Sequence, residues 1–345
     1  MIESLSLANV GPFQKADLAF GHRFNFISGE TGLGKSFLLD LIWFSMTRQW
    51  PAEVNNLLTS GSFARPGEPV VKSVIGAQFK TEEKIDKVKA DFSKDFERWI
   101  FNKTKTAYSG LVLYFMANGG FAVYDSERNR HDKTVPALVF SPKEIFNGLN
   151  GAGDAKLCNG LILDWVAWTD SISCRHLSDQ MNAVLAALSP KGDSYTAGPP
   201  ARISIYDSRL IPTIATPYGV NVPVTQASSG IRKIVSLAYM LVWSINEHAE
   251  IMKLKGGGID TRITLLLDDV ECHLHPQWQC SVVPAILKAV NVLFQLRGAD
   301  VTTQIIMTTH SSIIESSVEE IIDRQQDKWF NLDPAVNHVV LSERN

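Results

Sequence analysis

Gly29-Glu30-Thr31-Gly32-Leu33-Gly34-Lys35-Ser36 keeps the spacing G-x-x-x-x-G-K-[ST] without a mismatch. Glycines at these positions let the main chain wrap a polyphosphate with its N–H groups turned inward. Lys35 then reaches the β and γ phosphates, and the Ser36 hydroxyl is a ligand for Mg²⁺. A second group of reactive side chains follows an aliphatic run, Leu265-Leu266-Leu267-Asp268-Asp269-Val270-Glu271. Asp268 is the natural direct or water-mediated partner of a metal ion held by Ser36. Either Asp269 or Glu271 is suited to orient or deprotonate an attacking water. A third stretch, Gln304 to Ser312, ends a similar aliphatic run in Thr308-Thr309-His310-Ser311. There His310 can face a γ-phosphate or the attacking water, although a lone histidine after a strand is usually structural. The fourth is Gln226-Ala227-Ser228-Ser229-Gly230-Ile231, ahead of an apolar stretch, Ile234 to Trp243. Two hydroxyls and a glycine at a helix start favour an anion; locally, an ordinary serine cap explains them better.

These groups need elements to hold them. Phe24 to Ser28 reads as a strand and Phe37 to Trp43 as an apolar helix, so the glycine loop lies between strand and helix. That context argues against a functionless glycine turn and puts an anion at a helix N-terminus. Thr264 to Leu267 is apolar throughout, as a strand buried on both faces of a parallel sheet requires. Acids at its carboxyl end lie where ligands bind in such sheets. The alternation across residues 1–28 spells strands joined at Gly11-Pro12 and Gly21-His22. Leu111–Met116 and Phe121–Tyr124, joined by Ala117-Asn118-Gly119-Gly120, predict a hairpin, and with it an antiparallel lobe beside the nucleotide sheet.

Elsewhere the spacing of Ile85, Val88, Phe92 and Phe96 predicts a surface helix over Lys80 to Trp99. Val70 to Phe79 reads as a strand, after a Gly/Pro/Ser-rich link from Thr59 to Pro69. Ser141 to Leu188 reads as helical, with Trp165 and Trp168 in the core. Ser189 to Pro200 reads as loop, Arg202 to Tyr206 as a short strand, and Pro212 to Val224 as irregular.

The chain has 345 residues, of which 45% are hydrophobic and 20% charged, enough to bury a substantial core. A net charge of −3 with dispersed Lys and Arg argues against bulk electrostatic attachment to DNA. The four cysteines include no C-x-x-C pair and read as reduced thiols. The start lacks a signal-peptide pattern and no apolar run has membrane-spanning length, so a cytoplasmic protein without membrane attachment is expected.

In order, these stretches resemble the ABC-type ATPases of the RecF, SMC and OLD kind, often filed as AAA-family ATP-binding proteins. Gly29–Ser36 resembles Walker A, Ala227-Ser228-Ser229-Gly230 the signature, Leu265–Asp268 Walker B, and His310 the switch histidine. Asp268 to Pro276 looks like the family's D-E-x-E-x-H-L-H-P run, and Thr308–Ser311 like its T-H-S-P. Ser141-Pro142, Asn159 to Trp165 and Ser189-Pro190 look like short bacterial members, several of them from anti-phage defence operons. The resemblance implies an α/β P-loop NTPase with ABC-ATPase head architecture: a mixed sheet, an antiparallel β lobe and a helical lobe. It implies one such domain over residues 1–345. Residues 1–140 would carry Walker A and the antiparallel part, 141–225 a helical insert, and 226–345 the signature, Walker B and switch histidine.

It further implies ATP and Mg²⁺ as cofactors. It implies a homodimer, or a higher oligomer, in which Ser228, Ser229 and Gly230 cover the ATP of the other subunit. Two departures stand out. Asp269 occupies the position of the usual catalytic Glu, which implies slow hydrolysis or a share for Glu271. No heptad arm interrupts the chain between Ser36 and Ser228, and none of its cysteines forms a hook, so a long DNA tether is not expected. Nor does a nuclease domain follow Asn345 as in OLD proteins, so a separate effector such as a nuclease is expected. Asn118 or the segment before Ser141 are the candidates for a Q-loop. The alternatives are an ATP-gated sensor with negligible turnover and a RecF-like repair ATPase acting directly on nucleic acid.

Overall fold

The computed structural model describes residues 1–67, 72–80, 84–102, 108–129, 135–257, 260–298 and 300–344. In chain order the first elements are β1 (Ile2–Val10), β2 (Phe13–Ala19), β3 (Phe24–Gly29), α1 (Lys35–Thr47) and α2 (Pro51–Val54). Then come β4 (Val74–Lys80), β5 (Ile85–Ser93), β6 (Arg98–Phe101), β7 (Leu111–Phe115), β8 (Phe121–Asp125), α3 (Ser126–Asn129) and β9 (Leu138–Phe140). The middle holds α4 (Pro142–Asn147), β10 (Leu149–Asn150), β11 (Lys156–Cys158), α5 (Leu161–Asp170) and α6 (Arg175–Leu188). A small sheet follows, of β12 (Thr196–Ala201), β13 (Ile211–Ala215) and β14 (Asn221–Pro223). The last third contains α7 (Ser229–Leu254), β15 (Arg262–Asp268), α8 (Pro276–Gln279), α9 (Val282–Gln295), β16 (Thr302–Thr309), α10 (Ser312–Glu319), β17 (Lys328–Ala335) and β18 (His338–Glu343).

The order β18-β17-β3-β16-β15-β7-β8-β9 makes the central sheet, whose middle strands β17, β3, β16, β15 and β7 run parallel. Side chains alternate across a strand, so each apolar run in it serves two cores. From β15 and β16, Leu266 and Ile306 face α1 and the antiparallel sheet β2-β1-β4-β5-β6. Leu265, Leu267, Ile305 and Met307 face the opposite way, onto α5, α6, α7 and α9. Caught between two sheets, α1 is buried at eleven of its thirteen positions and shows no solvated face. A helix that is apolar all round is a core helix.

The α/β architecture, with its mixed sheet, antiparallel sheet and cluster of helices, agrees with the sequence reading; several details differ. Lys80 to Trp99 is not a helix: β5 and β6 form an antiparallel pair at the edge of the smaller sheet, while residues 81–83 lie outside those described. Val88 and Ala90 point inward at period two, whereas Ile85 and Phe96, which completed the helical spacing, are exposed. The 111–124 hairpin exists, but β7 pairs in parallel with β15 and so belongs to the central sheet. The antiparallel lobe is formed by the earlier strands. Of the strand expected from Val70, residues 70 and 71 lie outside those described and β4 supplies the rest. Arg202 to Tyr206 is irregular, while β12 occupies the end of the expected loop and β13 and β14 the expected irregular stretch. Prolines Pro199, Pro200 and Pro223 sit on the two edge strands, and Pro212 lies where a register shift interrupts the β12–β13 ladder. Those are positions where a missing N–H is tolerated. Trp165 and Trp168 are core residues, as expected.

Leu266→Ala should lower unfolding stability by about 2–5 kcal/mol, because it opens a void at the centre of the sheet. Ile85→Lys should change it by less than about 0.5 kcal/mol. Urea unfolding of both variants checks the pair; a large loss at Ile85 would contradict its exposed position.

Candidate active site

The glycine loop leaves β3 at Gly29 and enters α1 at Lys35. Gly34 caps that helix at φ +88°, in the left-handed region, so a side chain there would be strained. Glu30, Thr31 and Gly32 are exposed, and Leu33 packs against the core below. The loop's main chain therefore faces solvent at the N-terminus of a buried helix, which suits a phosphate. Lys35 is buried, and its Nζ donates to the Gly29 carbonyl at 2.8 Å and the Glu30 carbonyl at 2.9 Å.

Parallel pairing brings the next groups alongside. Asp268 at the end of β15 is opposite Thr308 of β16, and Thr309 is opposite Ser28 of β3. Ser36 Oγ donates to Asp268 Oδ1 at 3.0 Å and Thr308 Oγ1 to the same oxygen at 2.7 Å. The Ala117 N–H, at the carboxyl end of β7, approaches Asp268 Oδ2 at 3.4 Å. Burial raises the Asp268 pKa, opposed by the hydrogen bonds from Thr308 and Ser36. The Ser36–Asp268 oxygen spacing fits neighbouring ligands of an octahedral ion with bonds of about 2.1 Å. These two residues thus suit Mg²⁺.

Asp269, Glu271 and His310 form an adjacent cluster. His310 Nδ1 lies 3.1 Å from Asp269 Oδ1 and 3.9 Å from Glu271 Oε1. Glu271 is 2% exposed; its Oε1 accepts from the Thr309 hydroxyl and the His310 N–H, while Oε2 has no partner among the described residues. Burial raises the Glu271 pKa, and the Thr309 hydrogen bond opposes it. Asp269 has φ +42°, and its backbone is held on both sides: its N–H by Thr308 Oγ1 at 3.2 Å and its carbonyl by Lys233 Nζ at 2.8 Å.

Ser228, Ser229 and Gly230 stand at the start of α7. Ser228 is the N-cap of α7, its Oγ accepting from the Ile231 N–H at 3.3 Å, so the ordinary cap reading describes it within one chain. A Cβ on Gly230 would stand 2.7 Å from the His273 carbonyl oxygen, so only glycine lets α7 approach the loop after β15. Ser229 lines a cavity of about 670 Å³ together with Arg232, Lys233, Lys143 and the hairpin turn Ala117–Gly119; no residue of the phosphate loop lines it.

Sequence reading missed Thr308 as a partner of Asp268, the Ala117 N–H, and Lys233 as the tie between α7 and Asp269. The Thr308 and Lys233 contacts join residues far apart in the chain, so spacing carries no signal for them. It also missed Asp40, one helical turn after Ser36, which is buried and accepts from the Tyr114 hydroxyl at 2.9 Å.

Strand order and site geometry define a P-loop NTPase with the ABC-ATPase head architecture. Residues 4–153 match a model of the AAA domain, and 167–314 a model of the AAA ATPase domain. The structure is similar to an Smc head crystallised with the C-terminal winged-helix domain of ScpA, at TM-score 0.55 and 14% identity, covering 99% of this chain and 97% of that one. It is also similar to an Smc head with an extended coiled coil bound to the C-terminal domain of ScpA derived from Pyrococcus furiosus. There the TM-score is 0.50 and the identity 12%, over 99% of this chain and 96% of that one. The two models, which together span most of the chain, mark AAA-type ATPase domains, and the fold is that of an Smc head. Among the described residues, no helix is long and apolar enough to cross a membrane.

Burial lifts the Asp40 carboxyl to about 8, from an ordinary value of 3.8. Below pH 3.8 folded and unfolded chains both carry the proton, and the group's contribution is intact. As pH rises towards 8 the unfolded chain ionises while the folded one does not, and stability falls. Asp40→Asn should flatten this slope, leaving the variant more stable than the wild type near pH 8 by on the order of 3 kcal/mol. Denaturant unfolding at several pH values from 5 to 8.5 checks it.

Proposed function

We propose that the protein binds ATP with Mg²⁺, dimerises around it and hydrolyses it slowly, and that this cycle controls a separate effector protein. The observation that carries the reading is the convergence of the Ser36 and Thr308 hydroxyls on one Asp268 oxygen beside the Asp269–Glu271–His310 cluster. In this reading Lys35 leaves the loop carbonyls for the β and γ phosphates, and main-chain N–H groups of 30–34 hold the remaining oxygens. Ser36 and Asp268 hold Mg²⁺, which neutralises charge building on the phosphates. Asp269, the more accessible acid, takes the proton of the attacking water, and His310 positions that water or the γ-phosphate. Glu271 fixes Thr309 and the His310 main chain from behind. Ala117 and Asn118 serve as the Q-loop, next to Asp268.

The first turn of α7 completes the pocket in trans. Ser228 and Ser229 are exposed at the start of α7 and so are free to meet a partner's γ-phosphate, while Gly230 packs beneath them on His273. Lys233 and the Gly230–His273 contact tie that turn to the loop bearing Asp269, so closing the dimer adjusts the acid. The Smc heads of similar fold were crystallised with domains of ScpA, which supports a protein partner for this chain in kind. Family resemblance alone supports a nuclease effector and a role in anti-phage defence.

One observation favours a second reading, an ATP-gated sensor with negligible turnover. The Asp269 carboxylate is a methylene shorter than the usual Glu and is engaged by His310. Light scattering and steady-state ATPase assays separate the readings. Wild type should dimerise with ATP when turnover is blocked, and Ser228→Arg should stay monomeric. Turnover in the wild type, reduced at least about a hundredfold in Lys35→Ala, supports the enzyme. Absent turnover that Asp269→Glu restores supports the sensor. A wild type that remains monomeric in saturating ATP would refute the dimer.

A further inference from the structure

The Asp269–Glu271–His310 cluster has the spacing of a coordination sphere. One ligand atom from each residue lies within 4.8 Å of the other two. The imidazole Nδ1 stands 3.1 Å from Asp269 Oδ1 and 3.9 Å from Glu271 Oε1. Ligands around a four-coordinate ion with bonds of 2.0–2.2 Å are separated by roughly 3.3–3.6 Å. The two separations from His310 bracket that range, and the acids lie within 4.8 Å of each other. Ordinary hydrogen bonding explains the 3.1 Å contact and occupies Glu271 Oε1, but leaves the other oxygen of the same carboxylate, Oε2, buried and without a partner among the described residues. A buried carboxylate oxygen with no donor is costly unless a cation or proton serves it. The half-exposed His310 and accessible Asp269 give an ion a way in from solvent.

We infer that Asp269, Glu271 and His310 form a site for a transition-metal dication, distinct from the Mg²⁺ position at Ser36 and Asp268. Two carboxylates and one imidazole suit Zn²⁺, Mn²⁺ or Fe²⁺, while an all-oxygen sphere would suit Mg²⁺. Two carboxylate charges and a neutral imidazole balance the ion. Solvent supplies the remaining ligand on the His310 side. An ion there clamps His310 between the two acids and removes Asp269 from the attacking water, so it switches the nucleotide site off. Inhibition rests on the proposed ATPase; the binding does not.

Metal-free full-length protein, without nucleotide, is titrated with Co²⁺ and followed by its visible d–d absorption, then with Zn²⁺ as competitor. Wild type should take up one Co²⁺ per chain and release it to Zn²⁺. His310→Ala, a change at a half-exposed side chain, should weaken binding at least about tenfold, with circular dichroism confirming an unchanged fold. Lys35→Ala should bind Co²⁺ as the wild type does. Absent Co²⁺ absorption, absorption undiminished in His310→Ala, or absorption lost in Lys35→Ala would each overturn the site. With Mg²⁺ and ATP present, stoichiometric Zn²⁺ should slow wild-type turnover severalfold; unchanged turnover at full occupancy would overturn the clamp. If Mg²⁺ alone supports no turnover, the ATPase reading fails while the Co²⁺ titration still decides the site.

Discussion

The parallel register of three strands is the constraint on which the site depends. Pairing of β15 with β16 and of β16 with β3 sets Asp268, Thr308 and Ile27 at one level, and Ser28 beside Thr309. Each strand leaves the sheet one residue later, so the phosphate loop, the paired acids and His310 emerge together from the carboxyl edge. A slip of one residue in β16 would turn Thr308 away from Asp268 and present the core face of the strand to the metal position. The register is held in turn by two cores of opposite parity: Leu266 and Ile306 on the α1 side, Leu265 and Met307 on the helical side. The apolar runs therefore do more than fill space. They time the appearance of the acids.

Where the chemistry was contiguous in the chain, it was legible. The phosphate loop, the acid pair after Leu267 and the T-H-S run each carry their meaning in a few adjacent residues, and each lies at the end of the strand expected for it. What spacing does not encode is pairing between distant segments. Thr308 matters because strand β16 pairs with β15, and Ala117 because β7 lies on the other side of β15. The β5–β6 pair was misread for a related reason. A strand with one inward face shows few apolar positions, and two exposed residues, Ile85 and Phe96, were enough to imitate a helical stripe. The small sheet near residue 200 was hidden by its prolines, which edge strands and interrupted ladders tolerate and regular central strands do not.

Buried charge near the phosphates follows a single pattern. Asp40, Asp268 and Glu271 all have carboxyl pKa values raised by burial, and Lys233 has its own lowered for the same cause. Each acid retains hydroxyl or main-chain donors aimed at it: Tyr114 for Asp40, Ser36 and Thr308 for Asp268, Thr309 and His310 for Glu271. Without a cation the donors hold these carboxyls in place but do not fully compensate their desolvation. In the proposed mechanism a magnesium nucleotide supplies the missing positive charge at Asp268. Nucleotide binding and fold stability are thereby linked, since whatever ligand relieves the buried acids also stabilises the state that binds it.

The shorter acid at position 269 is matched by its backbone. A left-handed φ of +42° is unusual for a residue with a side chain, and Asp tolerates it better than most because its carboxylate bonds locally. The residue is fastened at three points, by Thr308 at its N–H, Lys233 at its carbonyl and His310 at its carboxylate. Two of those fastenings reach back to neighbouring elements: β16 carries Thr308 beside Asp268, and α7 carries Lys233 four residues after Ser229. A longer acid would gain reach but also rotamer freedom, and a freely rotating carboxylate spends less time in the attacking geometry. Short reach with a fixed backbone makes the acid's position depend on where α7 sits. Under the proposed mechanism, an aspartate at 269 couples the chemical step to closure of the α7 turn more tightly than a glutamate in the same frame would.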